Sequence, residues 1–231
     1  MKKIRYIVIF IGCIIFLLLI YFGFFYHSLD RDLNRIDFNK YNKLMIVAHP
    51  DDETLWGGGH LVDSDYVVVC VTCGKNKVRL NEIKRVLNKS DDKFIALWYP
   101  DKVFGKRSKW KNCYNDIYND LDKVINSYDW DIIVTHNPQG EYGHIHHKMT
   151  NKIVTDIYNN DMVNGDLYYF GKYYTKSRIN ELKLNGVKYN PSSIKEKKKM
   201  IDMYHSQSFI KKMFNQMTDY EDWQKYEKKK A

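Results

Sequence analysis

The sequence predicts an α/β domain built on one mostly parallel sheet flanked by helices and preceded by one N-terminal transmembrane helix. Three observations carry this. Short apolar runs alternate with stretches of helical spacing, a charge-free run of 21 residues lies near the amino terminus, and no internal repeat or second domain is visible. With 231 residues, 44% of them hydrophobic and 15% aromatic, the chain can bury one core of ordinary size, which excludes a disordered polymer. Only 12 glycines and 4 prolines exclude collagen-like and proline-rich classes.

Lys2, Lys3 and Arg5 form a short basic start (residues 1–5), and the run from Tyr6 to Tyr26 that follows is dense in Ile, Leu and Phe. At about 1.5 Å per residue, a helix of that length matches a hydrocarbon core roughly 30 Å thick. The apolar core of a signal peptide is shorter, about 7 to 15 residues, and ends at small residues. This run ends in Phe24-Phe25-Tyr26-His27, so an uncleaved anchor is expected. Basic residues before the run and mixed signs after it (Asp30, Arg31, Asp32, Arg35, Asp37) favour a cytoplasmic amino terminus, with the domain across the membrane. The expected location is a single-pass membrane protein of the endoplasmic reticulum if eukaryotic, or of the plasma membrane if bacterial. Residues 27–43 read as a polar linker, and the domain is expected over 44–231.

Within the domain, Leu44 to Ala48, Tyr66 to Val71, Phe94 to Leu97 and Ile132 to Thr135 read as buried strands. Val78 to Leu87, Tyr114 to Ile125 and His147 to Tyr158 carry apolar residues at helical spacing. Alternation of the two implies parallel strands joined by crossovers, with ligands at the carboxyl ends of the strands. The tail adds a strand-like patch, Leu167 to Tyr174, and a Lys-rich helical segment from Ser193.

Charge discriminates little. There are 37 basic and 28 acidic residues, a net +9, and setting aside Lys2, Lys3 and Arg5 leaves 34 against 28, an excess of +6. That suits an anionic membrane surface or a phosphate-bearing substrate as well as nucleic acid, and interleaved basic and aromatic residues alone do not argue for nucleic acid, so none is expected. The lysine runs 195–199 and 228–230 read as solvated, with lipid contact as the alternative in an anchored protein. Cys13, Cys70, Cys73 and Cys113 are too irregular for a disulfide framework, and Cys70-Val71-Thr72-Cys73 at a strand end reads as packing rather than a redox pair. Gly57-Gly58-Gly59 lacks the Lys-Ser/Thr of a phosphate-binding loop and reads as a place of close packing beside the site.

Chemistry concentrates at two strand ends. After the first strand comes Ala48-His49-Pro50-Asp51-Asp52-Glu53. Adjacent carboxylates in a turn point in different directions, so one can bind a metal while the other addresses water; the bland reading is a helix start, where Pro and Asp are also at home. After the last predicted strand comes Thr135-His136-Asn137-Pro138-Gln139-Gly140-Glu141-Tyr142-Gly143-His144-Ile145-His146-His147, with four histidines in twelve residues. Two imidazoles and a carboxylate with an open position make a divalent, catalytic zinc pattern. His136 reads as a strand-end or rim residue.

At these residues the sequence resembles the N-acetylglucosaminylphosphatidylinositol de-N-acetylase family, also called PIG-L or LmbE-like. The resemblance covers about residues 42–215 and rests on A-H-P-D-D-E at 48–53 and G-x-x-x-H at 143–147. Weaker echoes are Thr72 and Gly74, Arg79 with Glu82, and Tyr204-His205-Ser206-Gln207. It implies a Rossmann-like fold, a Zn2+ ion or another divalent metal bound by His49, Asp52 and His147, Asp51 as general base, and His144 assisting the oxyanion or leaving amine. The implied substrate is an N-acetylglucosamine-type sugar, lipid-linked or part of another glycoconjugate. One position departs: the family has Asp or Asn before its second zinc histidine, and here stands His146. A carboxylate there could orient the neighbouring ligand, which an imidazole would do less well, and His146 could itself compete as a ligand. The competing functions are a membrane-tethered carbohydrate-binding domain without catalysis and a zinc amidohydrolase acting on a non-sugar amide. The loop from Asp101 to Trp110, with Phe104 and Arg107, is a candidate wall of the acceptor pocket.

Overall fold

The computed structural model describes residues 6, 10–16, 29–160, 163–179 and 190–228. In chain order these form α1 (Leu29–Leu33), β1 (Lys43–Val47), α2 (Asp52–Asp63), β2 (Tyr66–Cys70), α3 (Lys77–Ser90) and β3 (Lys93–Ala96). A hairpin, β4 (Lys102–Val103) and β5 (Lys106–Arg107), precedes α4 (Tyr114–Ile125), β6 (Ile132–Thr135), α5 (Ile145–Asn160) and β7 (Asp166–Tyr169). The carboxyl-terminal part holds α6 (Pro191–Asp202), α7 (Phe209–Phe214) and β8 (Gln224–Lys225).

The main sheet runs β3-β2-β1-β6-β7-β8, parallel except for β8. The chain winds outward from β1 through β2 to β3, then returns to the other side of β1 as β6. A crevice therefore opens beyond the carboxyl ends of β1 and β6, where the winding direction reverses. His49 and His136 lie just past those two ends.

The strands read as unbroken apolar runs because both faces are covered. Side chains alternate: Leu44, Ile46, Val67 and Val69 pack with Ile117, Leu121 and Val124 of α4 and Ile153, Val154 and Ile157 of α5. Met45, Val47, Val68 and Cys70 pack on the opposite face with Leu55 and Trp56 of α2, Ile83 and Val86 of α3, and Met200 and Ile201 of α6.

The expected strands and helices are present, most with ends moved by one to three residues; α4 and β6 match in full. Three differences are informative. The first crossover, α2, holds Gly57-Gly58-Gly59, residues of low helix propensity, and was not expected as a helix. Two of them make room for neighbouring side chains: a Cβ on Gly57 would lie 2.7 Å from Met45 Cε, and one on Gly58 2.7 Å from Lys197 Cγ. The glycines thus seat α2 against β1 and α6, and the close packing is on that side rather than at the site. Second, the linker reading of 27–43 is corrected from residue 29 onward. Leu29 and Leu33, four apart on α1, are buried with Tyr41 in the core, so this segment belongs to the domain. Third, the Tyr-rich strand ends at Tyr169, because beyond Phe170 the main chain turns to meet the Asn137 side chain, which donates to the carbonyls of Phe170 and Gly171.

Among the described residues no helix is long and apolar enough to cross a membrane. Residues 10–16 are helical, with Phe10, Ile15 and Phe16 exposed, and the rest of the expected 6–26 span, apart from Tyr6, lies outside the described residues.

Candidate metal and catalytic centre

β1 delivers the first cluster. At its end the chain makes a left-handed turn at Asp51, φ 105°, a strained conformation for a residue with a side chain. Glu53 and Arg79 hold it: the Asp51 N–H donates to Glu53 Oε2 at 2.9 Å, and Arg79 Nη2 donates to the Pro50 carbonyl. Glu53 is itself buried and accepts hydrogen bonds from Thr54 and Tyr204. The turn sends the two adjacent carboxylates apart. Asp52 faces the histidines, while Asp51 faces Arg79, whose Nη2 lies 3.3 Å from Oδ1.

Asp52 Oδ2, His49 Nδ1 and His147 Nε2 form a buried triangle with sides of 3.2, 3.3 and 3.3 Å. Each imidazole turns one nitrogen inward because its other nitrogen is engaged. His147 Nδ1–H donates to Glu141 Oε2. His146 Nε2–H donates to the Ser108 carbonyl at 2.7 Å, so His146 Nδ1 accepts from His49 Nε2–H at 3.0 Å. Burial lowers the basicity of His147, but Asp52 against its Nε2 and Glu141 against its Nδ1 raise it above the ordinary value, so positive charge is favoured where the three atoms converge, as a divalent cation there would supply. Metal–ligand distances of about 2.0–2.1 Å in a tetrahedron give edges of roughly 3.3–3.4 Å, which the triangle meets. The donor set therefore fits a divalent ion with one position left open. A second group of donors, His49, His144 and His146, also lies within 4.8 Å.

Electrostatics separates the roles. Burial works against the charged form of Asp52, but His147 beside it holds its carboxyl well below the usual range. Burial raises Asp51, reinforced by Asp52 and Glu53 and opposed by Arg79, so it is the more basic of the two. His144 is half-buried on the wall of the cleft, and burial, then the neighbouring His49 and His147, push its pKa down to about 2. It is neutral; its Nδ1 accepts from the His146 N–H at 3.3 Å, which leaves Nε2–H as a donor.

His136 is not at the rim. It is fully buried and stacks on His147 with ring centres 3.9 Å apart. Burial lowers its basicity, yet Glu141 and Asp52 raise the pKa to about 9. The Ala48 N–H nevertheless donates to Nε2 at 2.9 Å, which requires a lone pair there, so the hydrogen bond holds the neutral form with Nδ1–H donating to Glu141. Glu141 thus supports both His136 and His147, the task expected of position 146. The sequence reading passed over it, although a carboxylate between Gly140 and Gly143, all three with positive φ, is a signal of a shaped turn. His146 supports His49 instead.

Of the weaker echoes, Thr72, Arg79 and Gln207 line the cleft, and the others make structural contacts. Thr72 Oγ1 donates to the Ala48 carbonyl at 2.7 Å, and Gly74 leaves room for Trp98, whose Cδ1 would lie 2.3 Å from a Cβ. Ser206 donates through N and Oγ to Glu82, and His205 is exposed. Cys70 and Cys73 are buried free thiols, and the Cys73 Sγ–H points to the Cys70 carbonyl.

The cleft has a volume of about 800 Å³. Asp51, Asp52, His49 and His144 line it together with Arg107, Val103, Phe209 and Phe214. Of the expected acceptor loop, Asp101 and Arg107 line the cleft, Phe104 is fully exposed at the hairpin tip, and Trp110 is buried.

A doubly wound sheet with a histidine–carboxylate cluster at its switch point is an α/β arrangement that places a candidate metal and ligand site in the crevice. Residues 44–158 match the family described as GlcNAc-PI de-N-acetylase, PIG-L, and through this domain the chain belongs to that family. An uncharacterized protein of Acanthamoeba polyphaga mimivirus is 30% identical over 135 residues, 51% of this chain, and the match spans 58% of that protein's length. Two solved structures share the fold. A deacetylase from the biosynthesis pathway of teicoplanin has a TM-score of 0.56 at 15% identity, covering 75% of this chain and 89% of its own. A pseudoaglycone deacetylase has a TM-score of 0.55 at 14% identity, covering 77% and 86%.

Proposed function

We propose that the domain is a zinc-dependent hydrolase that removes the N-acetyl group from an N-acetylglucosamine-type sugar. The observation that carries this reading is the triangle of His49, Asp52 and His147 beside a separately held Asp51, in a domain of a de-N-acetylase family. When bound by these three residues, zinc supplies Lewis acidity and lowers the pKa of water to about 7. Asp51, made basic by burial, takes the proton of the attacking water. His144 Nε2–H donates to the oxygen that gains negative charge as the carbonyl carbon becomes tetrahedral. Asp51 then returns its proton to the nitrogen as the C–N bond breaks, releasing acetate and the free amine. Val103, Phe209 and Phe214 on the cleft wall suit an acceptor with apolar parts, such as a lipid-linked glycoconjugate. Residues 6–26 would hold the domain at a membrane that carries it.

The test is zinc content of the purified full chain together with acetate release from a panel of N-acetyl sugars, free and lipid-linked. One metal per chain and release from a sugar amide support the reading; stoichiometric zinc with release only from non-sugar amides would replace its substrate.

A further inference from the structure

We infer that His146 is a positioning residue for His49, and that it ties this ligand to the loop over the cleft. The inference rests on the metal reading above for its consequence, but its geometry stands by itself. His146 is fully buried between two partners. Its ring lies parallel to Trp110, 4° between planes and 4.2 Å between centres, and its Nε2–H donates to Ser108 O. That bond leaves Nδ1 as an acceptor 3.0 Å from His49 Nε2. A proton relay of fixed sense results, with His49 donating to His146 and His146 to Ser108, and His49 Nδ1 turned to Asp52 and His147. Ser108 and Trp110 follow the β4–β5 hairpin, which carries Lys102, Val103 and Arg107 of the cleft wall. The residue that departs from the family pattern therefore fixes the tautomer and ring plane of His49, and makes them depend on the hairpin loop being seated.

Asp101 is the other acceptor nearby. Its Oδ1 lies 3.5 Å from His49 Nε2 and 3.6 Å from His146 Nδ1, and is held by Arg107 at 2.5 Å. At those distances it is the weaker partner of His49.

The test uses the full chain in detergent and three variants. His146→Phe keeps a ring against Trp110 and removes the acceptor, His146→Asn restores an acceptor oxygen near the Nδ1 position, and Asp101→Asn weakens the other acceptor. Zinc affinity is read by chelator competition, and the His49 tautomer by imidazole 15N shifts in metal-free protein. His146→Phe is expected to weaken zinc about 10- to 100-fold, the size of effect that partners of ligating residues produce, and to let His49 populate both tautomers. His146→Asn should return to within about threefold of the parent, and Asp101→Asn should lose no more than that. Unchanged affinity and an unchanged tautomer in His146→Phe would overturn the inference. So would two zinc ions per parent chain and one per His146→Phe chain, which would make His146 a ligand in the His49, His144 and His146 group. If the parent binds no zinc, the metal reading fails, while the tautomer measurement still decides the relay.

Discussion

Asp51 and Asp52 are the same side chain one residue apart, and the backbone between them assigns different work. The left-handed turn at Asp51 puts one carboxylate among imidazoles and the other against Arg79. Asp51→Asn is expected to retain bound metal and lose about 10² to 10⁴-fold in the rate of acetate release at saturating substrate, because the amide cannot take up the proton. A change confined to slight stability loss would reduce Asp51 to a helix-start carboxylate. His147→Ala should empty the site in metal analysis, whereas His144→Ala should keep the metal and slow the reaction. Metal retained in the former and lost in the latter would move the ligand set.

At the scale of elements, the glycines of α2 admit a buried ion pair that clasps the carboxyl-terminal segment. Lys197 of α6 donates to Glu221 at 2.8 Å, both fully buried, and Glu221 also accepts from the Gly59 and His60 N–H groups. Trp223 stacks on His60 with 3.5 Å between ring centres and donates to the Trp56 carbonyl. Removing one partner leaves the other charge buried, so Lys197→Ala is expected to cost about 3–5 kcal/mol in denaturant unfolding, with Glu221→Gln on that background recovering part of it. A second element-scale effect concerns β2 and β3. Asp92 accepts from the Tyr66 N–H at 2.7 Å, and burial raises its pKa from 3.8 to about 8. The unfolded chain therefore releases this proton first. The contribution of Asp92 is whole below about pH 4 and declines as pH rises toward 8. Each unit of displacement corresponds to about 1.4 kcal/mol, so Asp92→Asn should remove that decline and raise the Tm at pH 8 by several degrees. A parallel pH dependence in the variant would show that Asp92 is ionised in the fold.

For the whole molecule, the domain takes in α1 as well as the strands from β1 onward. A chain beginning at residue 29 should unfold cooperatively at nearly the Tm of the full chain. One beginning at residue 43 should be markedly less stable, since it strips Leu29, Leu33 and Tyr41 from the core. Leu33→Ala alone is expected to cost about 2–4 kcal/mol, measured by urea unfolding. Little loss on cutting to residue 43 would restore the reading of this segment as a linker.

What the sequence determined alone follows from chemistry that is local along the chain. Parallel strands were legible because burial on both faces makes each an unbroken apolar run, and the two site clusters because histidines and carboxylates sit next to one another at strand ends. The resemblance added roles to His49, Asp51, Asp52, His144 and His147. Features that depend on distant partners were not legible. Gly57-Gly58-Gly59 argued against a helix until Met45 and Lys197 were seen to need the space. Leu29 and Leu33 were too sparse among charges to mark a core face. Above all, only the tertiary structure decided that Glu141 supports His147 while His146 faces His49 from 97 positions away in the chain. Hydrogen-bond partners are chosen by where folding brings atoms to within about 3 Å, and spacing in a sequence does not contain that distance.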